Sequence, residues 1–158
     1  MSATLAPVSH EPASKARLRL WLRVLKVNRL VEPVLRERLR AEFGTTLPRF
    51  DVMAALNRFP EGLKMSQLSG VLRVSNGNVT GIVDRLEAEE LAERAPLPGD
   101  RRAAVVRLTD KGRAEFARQA EAHKSWIDAL LSDFSAEEAR EIGALLGAMT
   151  DPATRTGD

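Results

Sequence analysis

The sequence predicts a mostly α protein with a small β-wing: a winged helix-turn-helix joined to a helical dimerisation region. Three observations carry this. Two short apolar-periodic segments between Met65 and Leu86 are separated by only a few residues. A β-rich ribbon bearing paired arginines follows them. Long amphipathic stretches then flank the whole on both sides. Residues 1–14 read as a flexible N-terminal arm and 151–158 as a flexible tail. Residues 15–45 and 109–150 read as the helical dimerisation region, and 46–108 as a winged helix-turn-helix DNA-binding lobe.

The first long helix is expected from Lys15 to Phe43. Leu18, Leu22 and Leu25 share a face, and Trp21, Val24, Val31, Leu35 and Leu39 widen the apolar surface. That surface exceeds what one neighbouring helix covers, so a partner subunit is expected to bury the rest. Pro33 should bend the helix or break it near Glu32. Arg17, Arg19, Arg23, Lys26 and Arg29 give its first half a basic edge, suited to solvent, to DNA phosphates or to an acidic ligand. Gly44 suits the position just past the helix end. Thr46-Leu47-Pro48 opens the next helix, and Pro60-Glu61-Gly62 closes it. Leu63-Lys64 offers a short third strand to the wing.

Met65, Leu68, Val71 and Leu72 fall on one face of a short helix. Arg73-Val74 makes the turn, and Ser75 is a suitable N-cap for the following helix. There Val79, Ile82, Val83 and Leu86 form the buried stripe. Asn76, Gly77, Thr80, Gly81 and Asp84 occupy the opposite face, with Asn78 and Arg85 at its margins. Such a second helix enters the major groove through its N-terminal residues. An Asn amide reads adenine bidentately, and Ser or Thr reaches several base edges. A capped surface helix with two tolerated glycines is the plainer alternative.

The ribbon favours the groove-binding reading. Leu91 to Ala95 suits a strand, and Ala104 to Leu108 suits its return. Pro96-Leu-Pro-Gly-Asp100 is expected to stop the first strand and turn. Arg101 and Arg102 then sit at or beside the tip, where guanidiniums can track phosphates or enter a narrow minor groove. Thr109 caps a helix from Asp110 to about Leu131, with Phe116, Ala120, His123, Ile127 and Leu131 along one stripe. Ser135-Ala-Glu-Glu138 has capping-box spacing. It opens a terminal helix with Ile142, Leu145, Leu146 and Met149 on its apolar side. Gly143 and Gly147 there suit close helix packing.

The stretch D-R-R-A-A-V-V-R-L-T-D-K-G, from Asp100 to Gly112, resembles the wing of the MarR family of transcriptional regulators. The stretch V-S-N-G-N-V-T-G-I-V-D-R-L-E, from Val74 to Glu87, is similar to that family's recognition helix. The resemblance spans roughly Arg17 to Met149. It implies a ligand-responsive homodimer, usually a repressor, on a pseudo-palindromic duplex operator. It makes Ser75, Asn76, Asn78, Thr80, Arg85, Arg101 and Arg102 the expected DNA contacts, with Asp100 orienting the wing. Many members carry Arg where this chain has Gly81, which shifts weight to the Asn residues, Thr80 and the wing. T-T-L-P-R-F-D-V-M-A-A-L, S-N-G-N-V-T-G and H-K-S-W-I further resemble the subset governing aromatic-acid degradation. That implies release by a small aromatic acid or its coenzyme A thioester. Arg17, Arg19, Trp21, Asn28, Arg49, His123 and Trp126 are the expected ligand residues. For His123 and the two Trp residues, ordinary packing is the competing reading.

Composition narrows the alternatives. The formal charge of +2 is too small to argue for nucleic acid by itself, so local arginine clustering carries that case. No Cys is present, which excludes disulfides and thiolate chemistry and is compatible with a reducing cytoplasm. No apolar run reaches the ~20 residues of a membrane helix. No H-E-x-x-H, Walker A or Rossmann motif occurs, so neither an enzyme nor a bound metal or cofactor is expected. The remaining alternative is a winged-helix protein-interaction module, favoured by Asp84, Glu87, Glu89 and Glu90 at the far end of the recognition helix.

Overall fold

The computed structural model describes residues 11–72, 76–97 and 99–151, with the side chains of Asn76, Gly77 and Arg101 outside the description. The chain divides into two compact units, Met1–Gly44 and Thr45–Asp158.

Among its described residues, the first unit holds one helix, α1 (Ala13–Phe43). It starts within the span expected to be a flexible arm, since Ala13 and Ser14 are already helical. Lys15 and Ala16 both donate to the Pro12 carbonyl, which closes the first turn. Gly44 ends the helix in the left-handed region at φ 61°, its N–H donating to Arg40. Of the bend or break expected at Pro33, the break does not occur: α1 runs through it. A helix-interior proline costs about 3 kcal/mol. Here the turns beyond it are held by the buried Leu35 and Leu39 and by the ion pairs Arg36–Glu32, Arg40–Glu37 and Arg38–Glu42. Towards its start, Leu18, Leu20, Trp21, Leu22 and Leu30 are each more than half exposed.

The second unit holds α2 (Leu47–Arg58), α3 (Met65–Leu72), α4 (Asn76–Ala88), β1 (Ala92–Leu97), β2 (Asp100–Leu108), α5 (Asp110–Leu130) and α6 (Ala136–Thr150). Thr46 caps α2 by accepting the Arg49 amide, and Pro48 stands in the first turn, where its missing N–H costs nothing. On α3 the buried residues are Leu68 and Ser69, whereas Val71, expected inside, is exposed. On α4, Val79, Val83 and Leu86 are completely buried. With Phe50, Val52, Met53 and Leu56 of α2 and Val106 and Leu108 of β2 they make one core. Each side chain of that size contributes roughly 1.5–3 kcal/mol on burial.

The ribbon departs from expectation at its tip. β1 continues through Pro96 to Leu97, and β2 begins at Asp100 rather than Ala104. Proline is tolerated because one edge of a two-stranded ribbon has no neighbour to accept an N–H. An irregularity between Pro96 and Leu97 moves the pairing from Pro96–Ala104 to Leu97–Asp100. Leu63 adds a single bridge to Val106, with N–H···O distances of 2.9 and 2.8 Å, in place of a third strand.

Thr109 caps α5 by accepting the Gly112 amide at 3.0 Å. A side chain at Gly112 is impossible as built, since a Cβ there would lie 1.8 Å from the Leu91 carbonyl oxygen. The capping box of α6 is complete: Ser135 and Glu138 each accept the other's amide. No residue of α6 is buried, and Leu145 and Met149 are more than 70% exposed. Gly143 and Gly147 do not make the close helix contact expected of them within this chain, as a Cβ at either would meet nothing within 4 Å.

Candidate nucleic-acid interface

The helix α4 presents two unlike sides. Burial of Val79, Val83 and Leu86 fixes its rotation, and this leaves Asn78, Thr80, Gly81, Asp84 and Arg85 exposed. Asn76 opens the helix, and Ser75 and the Arg73-Val74 turn lie outside the described residues. Asn78, Gly81, Ile82 and Arg85 line an open cleft of about 320 Å³, which Thr46 and Arg49 of α2 complete. Gly81 contributes space, since a Cβ there would meet nothing within 4 Å. The side chains of Asn78 and Arg85 thus share one surface with the start of α2, a grouping the sequence spacing did not reveal.

On the ribbon, Arg101 and Arg102 belong to β2 itself, not to the loop beyond it. Arg102 is exposed, and its amide donates to Asp100 Oδ1 at 3.0 Å. A short Asp side chain that accepts the amide two residues on holds a turn in place of a backbone carbonyl. Gly99, at φ 87°, stands in the left-handed region just before it.

The acidic end of α4 is paired within the fold. Arg94 of β1 donates to Asp84 Oδ1 at 2.8 Å and to Glu87 Oε2, and its amide donates to Glu87 Oε1 at 3.0 Å. The Arg94 pKa is raised, first by the Asp84 hydrogen bond; partial burial opposes this, and the charge of Glu87 adds to it. Glu89, just past α4, forms a fork-to-fork pair with Arg49 of α2. Lys111 of α5 donates to the Glu89 carbonyl at 2.9 Å and stands 3.7 Å from Glu90. Sequence reading gave Arg94 no role. Its distance from Asp84 and Glu87 along the chain, across the start of β1, concealed the contact.

The expected ligand residues fall on separate elements. On α1, Arg17 is exposed, Arg19 pairs with Glu11 at 2.7 Å, Trp21 is exposed, and Asn28 donates to Glu32 at 3.3 Å. On α5, Trp126 is buried and His123 stacks on Phe50 of α2, with centroids 4.7 Å apart and planes at 24°. Phe116 meets the same Phe50 ring at 5.5 Å. Burial lowers the His123 pKa, against a smaller upward pull from Asp51. Arg49 directly precedes Phe50; its side chain is only 14% exposed, and its buried Nε has no hydrogen-bond partner.

Known proteins place this architecture. The MarR family profile matches residues 43–103. The HTH-type transcriptional regulator PecS of Dickeya dadantii is 34% identical over 124 residues, covering 77% of this chain and 74% of its own. A MarR family transcriptional regulator from Silicibacter pomeroyi superposes with a TM-score of 0.71 at 37% identity, over 88% of this chain and 96% of that one. A mutant MarR from E.coli, solved in complex with operator DNA, shares the fold with a TM-score of 0.71 at 24% identity, over 89% of this chain and 100% of its own. The chain carries a winged helix-turn-helix and belongs to the MarR family of DNA-binding transcriptional regulators.

Proposed function

We propose that the protein is a homodimeric repressor that binds a pseudo-palindromic duplex operator and is released by a small aromatic acid or its coenzyme A thioester. The division of α4 carries the DNA half of this reading. Three fully buried side chains lock the helix, and Asn78, Thr80 and Arg85 face outward beside it. Ser75 and Asn76 at its start complete the base-reading set, and Arg101 and Arg102 of the braced wing add charge along the backbone. The E.coli MarR fold seated on its own operator supports this assignment.

The exposed apolar residues of α1 and α6 support self-association. Residues 15–45 and 109–150 would form the shared helical region, and 46–108 would form the lobe that meets DNA. Two such lobes address half-sites about 34 Å apart, one helical turn. The partly exposed His123 ring, stacked on Phe50, and Arg49 beside Phe50 support an effector that joins an aromatic group to a carboxylate. Such an effector acts only to the extent that it prefers the conformation that does not bind DNA. Pairing of Asp84, Glu87 and Glu89 within the fold weighs against an acidic protein-docking surface.

Fluorescence anisotropy on duplexes selected from a randomised pool tests this reading. Salt-dependent binding to a two-fold-related sequence, weakened by benzoate or benzoyl coenzyme A, is expected. Salt-independent binding, or none, refutes the DNA assignment. Binding unaffected by aromatic acids and thioesters refutes the effector class.

A further inference from the structure

Four acids, Asp84, Glu87, Glu89 and Glu90, follow the groove-facing part of α4. A helix that approaches a polyanion gains nothing from carboxylates there. Asp84 and Glu87 are three residues apart and therefore neighbours on one flank of the helix. A single side chain, Arg94, spans both from β1. Strand pairing holds Arg94 in place, because its register partner Val106 is buried in the core and is bridged to Leu63. The Arg94 side chain is 33% exposed and the Glu87 side chain 30%, so the contact is partly shielded from water.

We propose that Arg94 is a positioning residue for DNA binding: it turns the Asp84 and Glu87 carboxylates toward the base of the wing and cancels their charge where duplex phosphates approach. This rests on the DNA-binding reading above. Arg94 acts here through the two acids, not by touching DNA. Its removal therefore leaves two uncompensated negative charges near the phosphates. Repulsion between such charges is screened over about 10 Å at 0.1 M salt. The defect should accordingly shrink as salt rises, which a purely structural loss would not do.

The experiment compares Arg94→Met, Arg94→Lys and the triple variant Asp84→Asn/Glu87→Gln/Arg94→Met on a duplex selected by the wild-type protein. At low salt Arg94→Met should bind about tenfold more weakly, a difference equal to ~1.4 kcal/mol. The loss should fade at higher salt. Arg94→Lys should recover part of it, and the triple variant should bind within about twofold of wild type, as coupled sites require. Should Arg94→Met unfold, Arg94→Gln keeps donors for both acids without the charge, and the same salt-dependent loss is expected. A folded Arg94→Met that binds as wild type overturns the proposal, and so does an equal loss in the single and triple variants, which would mean direct contact with DNA. If the wild-type protein selects no duplex, the DNA-binding reading falls and takes this one with it. Wild-type binding with an unimpaired Arg94→Met defeats this one alone.

Discussion

The Asp100 carboxylate accepts the amide of Arg102 at 3.0 Å, and this bond braces the first residues of β2. Arg102 is exposed on a braced strand rather than on a free loop. Arg102→Ala should lower operator affinity about tenfold or more, in the ~1–3 kcal/mol range of a groove-reading arginine, and leave the melting temperature unchanged. Asp100→Ala should cost less, because the guanidinium survives and only its placement loosens. Anisotropy with a parallel thermal melt separates the two. Unaltered affinity in Arg102→Ala would remove the wing from DNA recognition.

Gly112 joins α5 to Leu91, in the turn after α4, at a distance no other residue permits. Thr109 Oγ1 donates to the Glu90 carbonyl at 2.7 Å in the same joint, and the Thr109 amide donates to Leu91. Gly112→Ala must push this joint apart. Overpacking of this kind costs about 1–3 kcal/mol, occasionally more. Urea denaturation should show the midpoint falling, and an unchanged midpoint would mean that α5 shifts without cost.

Arg49 and Glu89 link α2 to the end of α4 through two parallel hydrogen bonds. Arg49 is mostly buried while Glu89 is half exposed. Arg49→Met should therefore destabilise by roughly 1–3 kcal/mol, the loss of a charge-assisted pair plus buried packing. Glu89→Gln should cost about 1 kcal/mol or less, since water screens an exposed partner. Chemical denaturation of both variants checks the order, and the reverse order would contradict this description of the pair.

His123 supplies a pH dependence. Its pKa is lowered in the folded chain, chiefly by burial beside Phe50. The unfolded chain, with the ordinary value near 6.5, then binds a proton that the folded chain resists. Stability should be fully present above that value and decline as pH falls below it toward the lowered folded pKa. His123→Gln should flatten this part of the profile, where pH falls through 6.5 and below. Melting curves across that window decide it. A wild-type curve that is flat there, or a variant with the same slope, would show that the ring is solvated.

Most of the helices were legible because their signals are local. Thr46, Thr109 and Ser135 cap as their side chains dictate, Gly44 ends α1, and Val79, Val83 and Leu86 lie inside as their spacing requires. The errors arise where a local rule met a distant contact. Pro33 did not break α1, and the turns beyond it hold through the buried Leu35 and Leu39. Pro96 did not end β1, because its missing N–H faces an open edge, and the strands therefore reach two residues further and four residues earlier than expected.

At the candidate interface, the exposed residues of α4 could be read from periodicity. The ion pairs could not. Arg94 meets Asp84 and Glu87 only because β1 folds back along α4, and Arg49 meets Glu89 across 40 residues. Charge composition alone made that end of the helix look like an acidic surface, whereas its carboxylates are paired within the fold.

Sedimentation velocity of the protein with a duplex it selects, at concentrations where all DNA is bound, tests the homodimer on its operator most directly. Two chains per duplex are predicted, with a dimer of the same chains in the absence of DNA. One chain per duplex, or a free protein that stays monomeric while still binding DNA, would contradict it.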